Sequence, residues 1–162
     1  MELITEEFHL LGDQYLTDNT PCRPPWAIAE RPFLQICDHC GECVDACPEH
    51  ILIRGRGDYP VVDFSKGGCT FCGKCSRACE LGGLLPTDGQ PWHLKAFIAK
   101  TCSANRGTEC HSCGESCPAR AINFRSQVGN IPVPIIEERL CNGCGTCVSA
   151  CSASAIHVYS QF

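Results

Sequence analysis

The sequence has no block of like charge, no long apolar run and no massed stretch of Leu, Ile, Val or Phe. Each absence closes a class of function. A net charge of −5 without a basic cluster argues against nucleic acid, whose binding needs a positive footprint. The longest apolar stretches, such as Ala96-Phe97-Ile98-Ala99, are far too short to span a bilayer, so no membrane association is expected. Scattered apolar residues in a chain of 162 leave little for a large core, and small domains of that kind are held by staples or metal. No Rossmann glycine fingerprint, P-loop or nucleophile elbow is present, so the chain is expected not to be an enzyme. The start, Met1-Glu2-Leu3-Ile4-Thr5-Glu6-Glu7-Phe8, lacks the basic and apolar regions of a secretory leader. A cytoplasmic, reducing location is the expectation, and dense cysteine in such a compartment is more often metal-binding than disulfide-bonded.

What the sequence does have is cysteine, 17 in all. Sixteen fall in four runs. The first is Cys37, Cys40, Cys43 and Cys47, followed by Pro48; the second is Cys69, Cys72, Cys75 and Cys79. The third is Cys102, Cys110, Cys113 and Cys117, followed by Pro118; the fourth is Cys141, Cys144, Cys147 and Cys151. Their third cysteines are spaced 32, 38 and 34 residues apart, the length of one supersecondary unit.

The segments between the runs predict strands. Ile51 to Arg54 and Pro60 to Phe64 flank Gly55-Arg56-Gly57-Asp58, and Ala121 to Phe124 and Val133 to Glu137 flank Ser126 to Asn130. Both read as hairpins. Leu94 to Ala99 and Ala155 to Tyr159 predict strands before the third run and after the fourth. Short helices are expected after the cysteine loops, at Val44 to Ala46 and Val148 to Ala150. The expected fold class is α+β, two tandem bacterial-ferredoxin-like modules of order βαββαβ. The first module is irregular, because no clear strand follows Cys79. Gly82-Gly83 and Pro86-Thr87-Asp88-Gly89 read as the connector. The expected division is an extended tail over 1–30, a first module over 31–90 and a second over 91–162.

Three cysteines at two-residue gaps wrap one corner of a cube. The fourth, expected at the head of a short helix, ligates the other cluster of the pair, as in the C-x2-C-x2-C-x3-C-P pattern. Thiolates suit iron in a tetrahedral sulfur field. Structural zinc uses two separated CxxC knuckles per ion, which would leave many of these cysteines without a role. Four [4Fe-4S] clusters are therefore expected. The first takes Cys37, Cys40, Cys43 and Cys79, and the second Cys69, Cys72, Cys75 and Cys47. The third takes Cys102, Cys110, Cys113 and Cys151, and the fourth Cys141, Cys144, Cys147 and Cys117. The third run has a gap of seven residues after Cys102. Ligation by Cys102 through a bulged polar loop is the favoured reading, and a three-iron or empty site there is the alternative.

Outside the runs, Cys22 reads as a free thiol, with a labile transfer site as the other possibility. Trp26 reads as a cap of the tail on the first module or as a docking anchor. His39 and His111 are expected to be solvated loop residues and not ligands, and Phe71 to shield its cluster. Oxidised clusters with four thiolates carry about −2 each, taking the formal charge of −5 to about −13.

Arg23-Pro24-Pro25-Trp26, Tyr59-Pro60, the long-gap third run and Leu140-Cys141-Asn142-Gly143-Cys144-Gly145 go beyond generic ferredoxin spacing. On these the chain resembles the NapF-type, ferredoxin-type accessory proteins of the periplasmic nitrate reductase system. The resemblance covers almost the whole chain. It implies a cytoplasmic protein that assists maturation of the reductase's catalytic subunit before export, by cluster assembly or reductive loading. The catalytic subunit is then the expected partner, with an electron donor as a second. The alternative is an electron-transfer ferredoxin serving a redox enzyme complex, since the same clusters serve either role.

Overall fold

In a computed structural model the placement of residues 21–126 and 131–160 is described. Within them the second half is the more regular. Strand β3 (Leu94–Ile98) leads into the third cysteine run, and helix α4 (Ser112–Glu115) carries its third thiol. Strands β4 (Ile122–Arg125) and β5 (Val133–Ile136), helix α5 (Thr146–Ser149) and strand β6 (Ile156–Ser160) follow. β3 pairs antiparallel with β6, Leu94 opposite Ser160 and Ile98 opposite Ile156. β4 pairs antiparallel with β5, Ile122 opposite Ile136. Pro134 is tolerated in β5 because a two-stranded ribbon has free edges. Of the turn expected between these strands, residues 127–130 lie outside the described residues.

The first half repeats this order with substitutions. Helices α1 (Glu30–Ile36) and α2 (Glu42–Asp45) come first, then β1 (Leu52–Arg54) and β2 (Pro60–Val62), then helix α3 (Lys74–Ala78). β1 and β2 form the expected hairpin, Leu52 opposite Val62, around a 3-10 turn at Arg56–Asp58. Where β3 enters the second half, α1 enters the first. Pro32 lies within the first turn of α1, where its missing N–H costs nothing. A single antiparallel bridge, Ala27 to Leu84, stands in place of a closing strand pair.

Two local expectations are corrected. The helices set at Val44 to Ala46 and Val148 to Ala150 begin two residues earlier, at Glu42 and Thr146. Gly41 (φ 85°) and Gly145 (φ 77°) take the left-handed conformation and launch each helix directly from the second cysteine of the run. The third cysteine thus lies inside the helix. The fourth stands at the helix's C-terminal end, not at its head: Cys79 caps α3, and Cys47 follows α2.

The segment before α1 is extended yet built into the fold; residues 1–20 of the expected tail lie outside the described residues. Pro24 and Pro25 are fully buried and Trp26 is 7% exposed. The Trp26 backbone N–H donates to Pro91 O (2.6 Å), its indole N–H donates to Gly89 O (3.0 Å), and Leu85 N–H donates to Trp26 O (2.8 Å). Arg23 makes a two-pronged pair with Glu30 (2.9 and 2.7 Å) and donates to Pro60 O (3.1 Å). Its guanidinium lies over Phe33 and Tyr59, each 5.3 Å to the ring centre. Trp26 is therefore a cap, and the docking reading fails because the ring is inside. The Arg23-Pro24-Pro25-Trp26 stretch ties α1, β2 and residues 83–91 into one unit.

The core is unusual in composition. One cluster of buried side chains joins Phe33, Ile51, Leu52, Phe64, Leu84 and Leu94 with the thiols of Cys43, Cys47 and Cys75. A second joins Ala96, Ile122 and Ile156 with Cys113 and Cys147. Cysteine supplies much of what aliphatic residues supply elsewhere.

Candidate metal centres

The local geometry of each loop follows from its small residues. Gly41, Gly73 and Gly145 turn the chain left-handed after the second cysteine, so the third cysteine of each run enters a short helix. In three cavities a thiol from another run joins the three of one run. Cys47, Cys69, Cys72 and Cys75 line one cavity together with Pro25, Trp26 and Ile51. Cys117, Cys141, Cys144 and Cys147 line a second with Ala96 and Ile122. Cys102, Cys110, Cys113 and Cys151 line a third with Ile98 and Ile156. Around Cys43, the neighbouring thiols whose charges act on it are Cys75 first, then Cys79, Cys37 and Cys40. Three of the crossed groupings expected from the spacing thus share a cavity wall.

The seven-residue gap after Cys102 is taken up locally. A 3-10 turn at Ala104–Arg106 closes on Gly107 in the left-handed conformation, with Arg106 N–H donating to Cys102 O (3.1 Å) and Thr108 N–H to Ser103 O (2.9 Å). Ala104, 3% exposed, packs with fully buried Ala155. The insertion folds outward, and buried Cys102 stays on the cavity wall.

Do these residues fit an iron–sulfur cluster? Among the described residues, no three His, Cys, Asp or Glu side chains converge closely enough for a single ion. Thiols instead line the walls of three small cavities, four to each, and four soft sulfur donors around one space suit a multi-atom cubane. Backbone donors already point at sulfur. Phe71 N–H donates to Cys69 Sγ (3.4 Å), Ala121 N–H to Cys117 Sγ (3.3 Å) and Ala155 N–H to Cys151 Sγ (3.3 Å). Such bonds stabilise thiolate and tune a bound cluster.

Without metal, these thiols resist ionisation. Burial, then repulsion from the surrounding thiols, pushes Cys43 and Cys147 up to about 12. Burial pushes Cys69 up to about 12, against the Phe71 N–H, which lowers it. Cys75 and Cys113 rise to about 11, again chiefly by burial. Loading a cluster must therefore expel protons.

Three cations that spacing alone did not reveal hold the loops. Arg54, at the end of β1, donates to His39 O (2.8 Å) and Cys40 O (2.9 Å). Arg77 on α3 donates to Cys72 O (3.0 Å). Lys95 on β3 donates to Glu138 O (2.7 Å) and Cys141 O (2.5 Å). The third loop has an aromatic prop instead, the His111 ring lying 4.4 Å from that of Phe124. Phe124 lies seven residues after Cys117, as Arg54 lies seven after Cys47; that shared offset was the available signal.

His39 and His111 are corrected in one respect. Both are half-buried against rings, His39 at 4.2 Å from Tyr59, and neither is a freely solvated loop residue. Phe71 is half-buried and meets Trp92 edge to face at 5.7 Å. Cys22 is a free thiol pushed by burial up to about 12, with Arg23 opposing.

Comparisons with known proteins point to the same class of cofactor. A family model for 4Fe-4S dicluster domains matches residues 36–82 and 107–156. The chain is similar to the ferredoxin-type protein NapF of Escherichia coli strain K12, 41% identical over 134 residues, covering 83% of this chain and 82% of the relative. It is similarly 41% identical over 134 residues to NapF of Haemophilus influenzae, covering 83% and 76%. The methylamine utilization ferredoxin-type protein MauM of Methylobacillus flagellatus is 33% identical over 159 residues, covering 86% and 68%.

Proposed function

Because the chain belongs to the NapF-like, ferredoxin-type family of 4Fe-4S dicluster proteins, we propose that it is a non-catalytic accessory protein that readies a partner redox enzyme. The partner is the catalytic subunit of a periplasmic nitrate reductase, met in the cytoplasm before export and given a cluster or the electrons to load one. Four clusters are held by the crossed cysteine sets, in modules spanning 31–90 and 91–162. When bound, each cluster stores and passes one electron.

One observation carries the handing-over role. In each set of the first module one thiol, Cys40 or Cys72, is exposed, while Cys43, Cys47 and Cys75 are buried and Cys37, Cys69 and Cys79 are half-buried. Those corners are open to a partner surface, whereas Cys144 and Cys147 of the fourth run are both buried. The acidic charge of the loaded protein favours a basic partner face and a contact weakened by salt. No helix among the described residues is long and apolar enough to cross a membrane.

The test is to incubate the anaerobic holo-protein with cluster-free reductase subunit and to follow complex formation and iron transfer together. Complex formation with a gain of iron or of reducing equivalents on the subunit is expected. Reversible low-potential cycling with no complex and no transfer would instead make the protein a general electron carrier.

A further inference from the structure

The two modules meet through their cysteine loops. The Cys69 N–H donates to Cys144 O at 2.7 Å, joining a residue of the second set to one of the fourth. Around that bond the surfaces are in close contact. Gly68 faces Thr146 so closely that a side chain at 68 would come within 2.8 Å of the Thr146 backbone nitrogen and Cα. Phe64 packs directly on Gly145. The Trp92 indole N–H donates to Asn142 O (3.0 Å), inside the fourth loop, while its ring meets Phe64 and Phe71 edge to face at 5.9 and 5.7 Å. The other two sets stand apart from this junction. The third is walled by second-module residues alone, among them Ile98, Pro134 and Ile156, and Cys43 answers to thiols of the first module alone.

We propose that this junction is the electron path between the modules, so that the four sites are connected in the order first, second, fourth, third and not in sequence order. The inference rests on the four-cluster reading above. Tunnelling favours bonded routes over gaps, and the Cys69–Cys144 hydrogen bond is a bonded route from ligand to ligand. The step is a one-electron exchange. A reduced cluster in the second set is oxidised as the cluster in the fourth is reduced, with no proton moved and no bond broken. A low-potential reductant entering at the exposed first module supplies the electron, and the third site is the terminus.

The test uses the full-length protein, reduced with dithionite and studied by electron paramagnetic resonance beside its iron content. Full reduction of the unmodified protein is expected to give a spectrum that fits four spins coupled in the linear order first, second, fourth, third. Gly68→Val, which wedges the junction, and Trp92→Ala, which removes its aromatic brace, are expected to lose the cross-module component. Both should keep their iron and the coupling within each pair. A spectrum of two independent pairs in the unmodified protein overturns the proposal, as does coupling routed through the first or third site in place of the second and fourth. Variants that keep their iron and an unchanged spectrum overturn it too. Iron equivalent to fewer than four clusters in the unmodified protein would instead refute the reading on which the inference rests.

Discussion

At the scale of the residue, Cys102 is the position where spacing and geometry had most to reconcile. Seven residues separate it from Cys110, yet the turn at Ala104–Arg106 returns it to the same cavity as Cys110, Cys113 and Cys151. Cys102→Ser is expected to lower iron by about one atom to one cluster per chain; unchanged iron in anaerobically purified protein would remove Cys102 from the ligands. The crossed sets make a second prediction. Cys47→Ser should disturb the cluster of the Cys69 run before that of its own, and Cys117→Ser that of the Cys141 run. Selective loss of the clusters of the Cys37 and Cys110 runs would contradict the crossing. The thiols were legible in the sequence because iron chemistry dictates residue type and spacing together. The loop clamps were not. Arg54 bonds carbonyl oxygens of His39 and Cys40, 15 and 14 residues away, and a backbone acceptor leaves no mark on sequence. Arg54→Gln is expected to lower the reduction potential of the first cluster, since a cation beside a cluster favours its more negative state. Redox titration of the holo-protein checks the sign, and an unchanged or raised potential would limit Arg54 to holding the loop.

At the scale of the element, the hairpins β1–β2 and β4–β5 were readable because turn residues sit between β-rich runs. Their registers set Leu52 opposite Val62 and Ile122 opposite Ile136 at the open end of each hairpin, where Leu52 and Ile122 join the core. The start of the first module was harder to read. The proline-rich stretch before α1 has no periodic pattern. Its burial comes from three partners distant in sequence, Pro91, Gly89 and Leu85. Such tertiary pairing is invisible to a local reading. α1 itself is only seven residues long and buries only Phe33, too little for a recognisable stripe. Trp26→Ala empties a site that is 7% exposed and is expected to destabilise the holo-protein by about 3–5 kcal/mol. Denaturant unfolding under anaerobic conditions measures it. Unaltered stability together with lost capture of a partner would return Trp26 to the role of a docking anchor.

At the scale of the whole molecule, thiols are both core and ligand, so metal and fold are bound to each other. The pH response follows from that union. In the iron-free fold Cys43, Cys69 and Cys147 sit at about 12, above the ordinary thiol value of 9.0. A folded-state value raised in this way lends stability below pH 9.0 that is lost as pH climbs toward 12. Iron-free protein should therefore melt at progressively lower temperature across that window. The loaded protein, its thiols already ionised on iron, should not show the same fall. Matching falls in both forms would mean that the thiols are not bound in the loaded form. The account stands or falls on four clusters in four crossed sets. Its most direct test is the iron and acid-labile sulfide content of anaerobically purified protein, measured per chain. About 16 of each is the predicted result, four per cubane; about 12 or fewer, or zinc in place of iron, would contradict it.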